Sequence, residues 1–510
     1  MTRSLSLAEL LPELGTDVLK EEFANLQIRG ITEDSRHVRP GDLFVAVSGL
    51  TVDGHDYAAR ALAAGAIAIL GSRPLDLSIP SLVTKDPSRL LGLAAARLAG
   101  NPCQRMRAVG ITGTNGKTTT AYLLEAILQG AGRRPGLVGT VAYRFGGRSV
   151  PSPFTTPTPV QLQKLLAEMV DARCDHLVME VSSHGLSLGR VWGCEFDIAA
   201  FTHLTQDHLD LHHSMEAYLQ AKLLLFTRHL KQGGTALVNI DGAQSERVLD
   251  ALGARADVRV LCVSRLTPQS AEIALEEVRC SLNGIEATLR LPETKVPLRS
   301  PLLGTFNADN LLLAAACAYA LGVAPDAIAQ ATEELPGVPG RLERITLAAQ
   351  KSPTVLVDYA HTPDALSRAI EVLRPLSKGR LVVVFGCGGD RDREKRPLMG
   401  TAVAQGADLA LVTSDNPRTE NPQQIIDEIL PGVAAHLPLL AADTLMSASR
   451  GYFVEPNRRH AIDKAVALLE DDDVLLIAGK GHEDYQIIGT ERHHFDDGEQ
   501  ARRALRERAS

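Results

Sequence analysis

Between Val109 and Ala121 the chain reads GITGTNGKTTTA, a glycine-spaced run that ends in a lysine and three threonines. A polyphosphate needs a bend of backbone N–H groups converging on its oxygens, a cation on the β- and γ-phosphates and a hydroxyl for Mg2+. Gly113 and Gly116 permit the bend, Lys117 supplies the cation, and Thr118 supplies the hydroxyl at the positive end of a following helix. The flanks agree. Met106 to Thr112 has the apolar run of a short buried strand and Thr119 to Gln129 has helical apolar spacing, so strand, loop and helix are predicted in that order. The strict phosphate-loop pattern places a glycine where this chain has Ile111; its glycine is one position earlier, at Gly110.

Several domains are expected from 510 residues, each able to bury its own core. Apolar residues make up 45% and aromatics only 4%, a balance of α/β proteins rather than aromatic-rich sandwiches. The net charge of -8 argues against a general nucleic-acid binder, whose affinity rests on a basic surface. Seven cysteines lie far apart with no C-x-x-C pair, so neither a disulfide framework nor a zinc knuckle is indicated, and a reducing cytoplasm is the expected compartment. No basic-then-apolar signal segment opens the chain, and the longest apolar stretch, Leu311 to Ala324, is too short for a membrane span.

Punctuation divides the chain. Gly100-Asn101-Pro102 precedes the phosphate loop, and LPGVPG at 335–340 sets two prolines and two glycines in six residues. The expected organisation is α/β in three domains. Residues 1–101 form a small N-terminal α/β domain; 102–338 form a central domain with a P-loop ATPase-like, mostly parallel sheet and helices; 339–510 form a C-terminal domain with a Rossmann-like sheet. The last contains strands expected over Thr354–Val357, Arg380–Phe385, Leu409–Val412 and Val474–Ala478.

The phosphate loop does not by itself choose between a switch, a kinase and a ligase. Glu180 ends the apolar run HLVME, where it is either a surface carboxylate at a strand terminus or an oxygen ligand for Mg2+. His208 lies in FTHLTQDHLDLHH, a histidine-rich passage that is either a satisfied loop or part of a metal site, without a zinc spacing. A helix is expected over Ser214 to Leu230 with Ser214 as its N-cap, and on it Lys222 shares a face with Tyr218, Leu219, Leu225 and Phe226. Such a lysine either snorkels to water or is neutralised or modified in a site. Further on, DYAHTPDAL from Asp358, GCGGDRDREK at 386–395, DNPR at 415–418 and GKGHEDYQ at 479–486 each follow an expected strand. Mixed charge in four strand-end loops suits a ligand with cationic and anionic ends, such as an amino acid.

Taken together, GTNGKTT, MEVSSH at 179–184, the QDH-to-Lys222 segment, FNADN at 306–310, Gly340-Arg341, DYAHTPDA, DNPR and GKGHEDYQ resemble the Mur ligases of bacterial cell-wall synthesis, with matches in all three regions. This superfamily's loop is GTxGKT, which accounts for Ile111. The resemblance implies an ATP-dependent, ADP-forming amide ligase that adds meso-2,6-diaminopimelate to the D-glutamyl γ-carboxylate of UDP-N-acetylmuramoyl-L-Ala-D-Glu through an acyl phosphate. The chain is also expected to be a cytoplasmic monomer that neither binds nucleic acid nor inserts in a membrane. Carried over by motif, Gly113, Thr114, Asn115, Gly116, Lys117, Thr118 and Thr119 hold ATP, with Asn310 at the adenine, Arg341 at a phosphate and Asp358 at the ribose. Thr118 and Glu180 match a first Mg2+ site, and His208 with a Lys222 carbamylated by CO2 matches a second; Lys117, Glu180, His208 and Lys222 are the expected catalytic groups. Ser35, Leu50, Thr51 and Val52 match the uridine end of the substrate, and Thr155, Thr156, Ser182 and Arg190 the rest of it; Leu188 stands where many relatives have glutamine. Arg391, Asp415, Asn416, Pro417, Arg418, Gly479 and Glu483 match the amino-acid pocket. DNPR accompanies diaminopimelate in the family, and DNPA-like variants accompany lysine, because only diaminopimelate brings a second carboxylate for the guanidinium of Arg418 to grip.

Three alternatives remain to be weighed. One is the lysine-adding relative. Another is folylpolyglutamate synthetase, disfavoured by DNPR and by the DSR turn around Ser35. The third, a non-catalytic nucleotide switch, is disfavoured because no N-K-x-D guanine motif occurs.

Overall fold

A computed structural model describes residues 4–49, 52–205, 209–335, 337–346 and 353–509. The chain divides into two compact units, one of residues 1–276, 288–297 and 309–332, the other of 277–287, 298–308 and 333–510.

Near the N-terminus a four-stranded parallel sheet runs β1 (Gly30–Thr32), β2 (Asp42–Val45), β3 (Ala68–Gly71) and β4 (Ser81–Val83) in that order. Helix α1 (Pro87–Leu98) begins with proline at its first turn, and the Asp86 carboxylate caps it by accepting from Arg89 N at 3.0 Å.

The central sheet is built around β5 (Arg107–Thr112), which leads through the glycine-rich loop into α2 (Lys117–Gly130). There follow β6 (Pro135–Val138), β7 (Ala142–Phe145), β8 (Arg148–Pro151), β9 (His176–Glu180), β10 (Phe196–Phe201), α3 (Met215–Leu224), β11 (Leu230–Asn239), β12 (Arg259–Ser264) and β13 (Ile273–Ser281). Their order is β8-β7-β6-β9-β5-β10-β11-β12-β13, completed by two further strands, Gly284–Arg290 and Lys295–Ser300. From β6 to β13 every pairing is parallel, and the β6-β7-β8 edge is antiparallel. Strands β9 and β10 are buried along almost their whole lengths, which is why they read as continuous apolar runs and not as alternation. The chain leaves β5 for β6, returns to β9 on one side of β5, and then crosses to β10 on the other. This reversal opens a crevice at the carboxyl ends of β9, β5 and β10, where such sheets take their ligands.

The helix expected over 214–230 is shorter. It runs as α3 from a Ser214 cap, whose hydroxyl accepts from Ala217 N at 3.1 Å, and then widens into a π-turn over Leu225–His229 before β11 begins at Leu230. In the widened turn Leu225, Phe226 and His229 are all buried, His229 against the ring of Trp192 with centroids 4.8 Å apart. Arg89 of α1 covers the same indole at 5.3 Å. Burial pulls the His229 imidazole down to about 4, so this contact is made by a neutral ring.

Helix α4 (Thr305–Ala320) is buried throughout Leu311–Ala318, as its apolar composition requires. No helix among the described residues is long and apolar enough to cross a membrane.

The C-terminal sheet contains β14 (Glu343–Ile345), β15 (Thr354–Asp358), β16 (Leu381–Phe385), β17 (Leu409–Val412), β18 (Gly451–Val454) and β19 (Val474–Ala478), in the order β14-β15-β19-β16-β17-β18. All but the β14 pairing are parallel. With Asp358 opposite Ala478 and Phe385 opposite Val412, the loops after β15, β16, β17 and β19 emerge along one edge. The small N-terminal, central and C-terminal Rossmann-like sheets are thus those expected of the sequence.

At the opposite edge Arg380 and Asp473 form a bidentate pair, Nε and Nη2 lying 3.0 and 2.6 Å from Oδ2. The Asp473 carboxylate also accepts the backbone N–H groups of Arg380 and Glu470, while the guanidinium donates to Ala448 O and Leu468 O. Burial pushes the Asp473 carboxyl up, but these donors outweigh it and hold it below its usual value. Asp473→Asn leaves the partly buried guanidinium with only Glu470, 3.7 Å away, as counter-charge and is expected to lower the unfolding free energy of this unit by about 2 kcal/mol at pH 7 in denaturant titrations. Because the folded value is depressed, the contribution is full above about pH 4 and is lost as pH falls further, so the gap between wild type and variant closes on acidification.

Candidate active site

The loop between β5 and α2 is held from three sides. Thr114 N donates to His203 O at 2.8 Å, and its hydroxyl donates to Thr205 O at 3.1 Å while receiving Thr205 N at 3.0 Å and the Tyr218 phenol at 3.2 Å. Thr202 donates its hydroxyl to Asn115 O at 2.7 Å. Gly116 has φ +86° and lies so close to Asn310 that a Cβ would stand 2.3 Å from Oδ1, so this turn admits only glycine. Thr120 of α2 donates to the same Asn310 oxygen at 3.5 Å. Lys117 Nζ donates to Gly113 O at 3.0 Å and Thr114 O at 2.8 Å, which keeps its ammonium on the loop. Thr118 and Thr119, in the first turn of α2, are buried.

Glu180, at the carboxyl end of β9, is wholly buried. Its Oε2 accepts the Thr118 hydroxyl at 2.8 Å and the Thr140 hydroxyl at 3.0 Å, and its Oε1 accepts Thr140 N at 2.9 Å. A surface carboxylate is therefore excluded. A hydroxyl and a carboxylate joined at 2.8 Å beside a phosphate loop form the hard oxygen donor set that suits Mg2+. Lys222 is likewise buried, its Nζ donating to Gly113 O at 2.7 Å and lying 4.2 Å from the centre of the Tyr218 ring. It does not snorkel.

Beside Glu180 run the next expected contacts. The Thr156 hydroxyl donates to Glu180 O at 3.1 Å, lies 3.1 Å from Ser182 Oγ and accepts Ser182 N at 3.0 Å; Thr155 Oγ1 lies 3.0 Å from Thr140 Oγ1. Arg190 Nη1 donates to Thr156 O at 3.0 Å, and its guanidinium covers Phe154 at 5.0 Å. Ser182 also caps a short helical turn by accepting Gly185 N. Ser35 is buried in the turn after β1, and Val52 is exposed. His208, Leu50 and Thr51 lie outside the described residues.

In the second unit, Asp358 ends β15 and accepts Leu342 N at 2.7 Å and Ala360 N at 2.8 Å. Burial raises its carboxyl above the usual range, opposed by the charge of nearby Arg341. Arg341 lies over the Tyr359 ring at 5.0 Å. Burial also pushes the Tyr359 phenol up to about 12 and His361 down, so both flank the aspartate uncharged near neutrality.

The loops after β17 and β19 interlock. Asn416 Nδ2 donates to Glu483 Oε2 at 2.8 Å, and its Oδ1 accepts Lys480 Nζ at 3.1 Å and Ile487 N at 3.0 Å. The fully buried Lys480 ammonium also lies 3.5 Å from Glu483 and 3.7 Å from Asp415. Gly479 admits the Asp415 carboxylate within 2.5 Å of where a Cβ would stand. Arg418, with φ +52°, follows Pro417; its Nη1 donates to Gly389 O at 2.7 Å, and its guanidinium forms no ion pair among the described residues. Arg391 is exposed, with Nη1 3.2 Å from Asp390 O.

Sequence reasoning passed over Thr140, Lys480 and Arg458. Thr140 lies in a second Gly-Thr pair, just after β6, and Lys480 lies inside GKGHEDYQ, so both had a signal. Arg458 had none: it opens a helix in the polar run NRRH, yet it is buried, pairs with Asp497 at 2.6 Å and donates to Ala478 O at 3.0 Å.

The Mur ligase middle domain is recognised over residues 111–318, the "Mur ligase, glutamate ligase domain" over 340–481 and the "Mur ligase family, catalytic domain" over 27–109. A Synechococcus elongatus protein named UDP-N-acetylmuramoyl-L-alanyl-D-glutamate–2,6-diaminopimelate ligase is 43% identical, the match covering 99% of this chain and 100% of that one. A Geobacter metallireducens protein of the same name is 45% identical over 95% of each chain. A solved structure bearing that name superposes with TM-score 0.75 and 32% identity over 100% of both chains. The folylpolyglutamate synthase of Mycobacterium tuberculosis, with TM-score 0.61 and 23% identity over 77% of this chain and 92% of its own, shares the fold. The chain belongs to the Mur ligase family.

Proposed function

We propose that the protein is the ATP-driven ligase that joins meso-2,6-diaminopimelate to the D-glutamyl γ-carboxylate of UDP-N-acetylmuramoyl-L-Ala-D-Glu in peptidoglycan precursor synthesis. The domains are assigned as 1–101 for the uridine end, 102–338 for ATP and 339–510 for the amino acid. The observation that carries diaminopimelate over lysine is Arg418: a half-buried guanidinium held by a single carbonyl and without a counter-ion among the described residues, in the same loop set as the carboxylates of Asp415 and Glu483. An amino acid with a carboxylate at each end and an ammonium beside each satisfies both signs; lysine would leave Arg418 facing an ammonium.

In this reading the γ-phosphoryl group passes from ATP to a substrate carboxylate oxygen, releasing ADP. The amine of diaminopimelate then attacks the acyl carbon, and the tetrahedral intermediate expels phosphate as the amide forms. The loop N–H groups and Lys117 hold the transferring phosphates and offset their charge. Asn310 receives the adenine, Asp358 the ribose and Arg341 a phosphate. Thr155, Thr156, Ser182 and Arg190 bind the sugar-peptide, with Ser35, Leu50, Thr51 and Val52 at the uridine. Thr118 and Glu180 would hold one Mg2+, and His208 with carbamylated Lys222 a second; Mg2+ there would neutralise phosphate charge as it moves. Carbamylation suits the setting of Lys222, because a carbamate retains one N–H for Gly113 O while turning the buried end into a carboxylate.

Arg418→Ala is expected to reduce kcat/KM for diaminopimelate at least about a hundredfold, the worth of a charge-assisted bidentate contact, while the Kd for ATP changes less than about twofold. Coupled phosphate release and direct nucleotide titration measure the two, and parallel losses would refute the role. If no phosphate were released with ATP, the UDP-dipeptide and either diaminopimelate or lysine, the ligase reading itself would fall.

For Lys222, Lys222→Ala is expected to lose most activity and to regain part of it with added formate or acetate. Intact-protein mass spectrometry under CO2, or 13C-carbonate NMR, is expected to report a carbamate in the wild type that the variant lacks; activity indifferent to small carboxylates and a bare lysine would count against it.

A further inference from the structure

Glu180 is the point where the phosphate loop and the expected sugar-peptide contacts meet, and one residue outside both sets makes the junction. The parallel register pairs Val138 of β6 with Met179 of β9, so Gly139 and Thr140 emerge directly beside Glu180. Gly139 lets the backbone close on the carboxylate: a Cβ there would stand 2.3 Å from Oε1. Thr140 then takes both oxygens, its N–H at 2.9 Å and its hydroxyl at 3.0 Å.

Donor arithmetic gives this chain a direction. A threonine hydroxyl has one proton, and a carboxylate only accepts, so the Thr140 proton goes to Glu180 Oε2. The 3.0 Å contact with Thr155 must then be donated by Thr155. With the Thr118 and Thr140 hydroxyls both on Oε2, the open acceptor capacity of Glu180 lies mainly on Oε1, which has one donor. Any substrate group that takes the Thr155 proton, or presents one to its oxygen, alters what Thr140 offers to the carboxylate. Thr156 touches the same residue independently through Glu180 O.

We infer that Thr140 is a positioning residue that couples occupancy of the Thr155–Thr156 contacts by the UDP-sugar-peptide to the affinity of the Thr118–Glu180 pair for a divalent cation. The inference rests on the roles proposed above for those four residues. It gives the enzyme a physical means of binding its metal–nucleotide better once the acceptor carboxylate has arrived.

The test uses the full chain and no turnover. Mn2+·AMP-PNP is titrated calorimetrically with and without UDP-N-acetylmuramoyl-L-Ala-D-Glu, and AMP-PNP in EDTA gives the metal-free reference. In the wild type the substrate is expected to strengthen the metal-dependent part of binding at least about fivefold, with the same factor appearing in substrate affinity when the metal is present. Thr140→Val keeps the backbone donor and the side-chain volume but removes the relay, and is expected to bring the factor below about twofold while metal-free AMP-PNP affinity is unchanged. Thr140→Ser is expected to restore it, and Thr155→Val, which breaks the chain at its other link, to abolish it if the first variant does not fold. Coupling undiminished in Thr140→Val, or absent from the wild type, overturns the inference. Glu180→Gln distinguishes the deeper failure: if the metal-dependent part survives in that variant, the metal assignment falls together with the coupling.

Discussion

A carboxylate removed from water at the end of a strand is tolerable only where donors reach its oxygens, and much of the central domain serves that requirement at Glu180. Strand β9 places it, α2 brings Thr118, and the chain leaving β6 brings Thr140. Each donor comes from a different element, so the carboxylate fixes the mutual register of three pieces of chain. The phosphate loop is held by analogous means, through Thr114, Thr202 and Asn310. Rigidity there is useful because stabilising a transferring phosphoryl group depends on dipoles that need no rearrangement.

The C-terminal unit solves a different problem, that of keeping several charges buried in one loop cluster. Lys480 lies among Asp415, Asn416 and Glu483. Burial works against the charge of Arg458, but Asp497, with Asp415 and Glu483, outweighs it and leaves the guanidinium more firmly protonated than usual. These groups pair charge with charge, although Arg458 Nη1 has no hydrogen-bond partner, whereas Arg418 has a carbonyl and no counter-ion among the described residues. Contrast between the paired interior and the unpaired rim distinguishes the residues that build the pocket from those available to a ligand.

Most of the architecture was legible in the sequence because parallel strands buried on both faces announce themselves as apolar runs, and because glycine, lysine and threonine in one loop have few other uses. Both phosphate-loop flanks and all four C-terminal strands lie where their patterns placed them, to within two residues. Helix α3 is the exception, since its apolar periodicity runs on through Phe226 and gives no warning of a π-turn, within which His229 packs on Trp192. For site residues the same division holds. A carboxylate at a strand end, a lysine on an apolar face and DNPR are local signals, whereas Arg458 acquires its place only through Asp497, thirty-nine positions away. Thr140 falls between the two: its Gly-Thr is visible, but its importance follows from which strand lies next to β6.

The contact of Arg89 and His229 with Trp192 has an optical side. The chain contains one tryptophan, so its entire indole emission originates where α1 packs on the turn before β10. The ring has a guanidinium on one side and an uncharged imidazole on another. Protonated imidazole is the strong quencher of indole, and here it is withheld at neutral pH. The native indole fluorescence is therefore a built-in gauge of that single junction, with no second indole to compete with it.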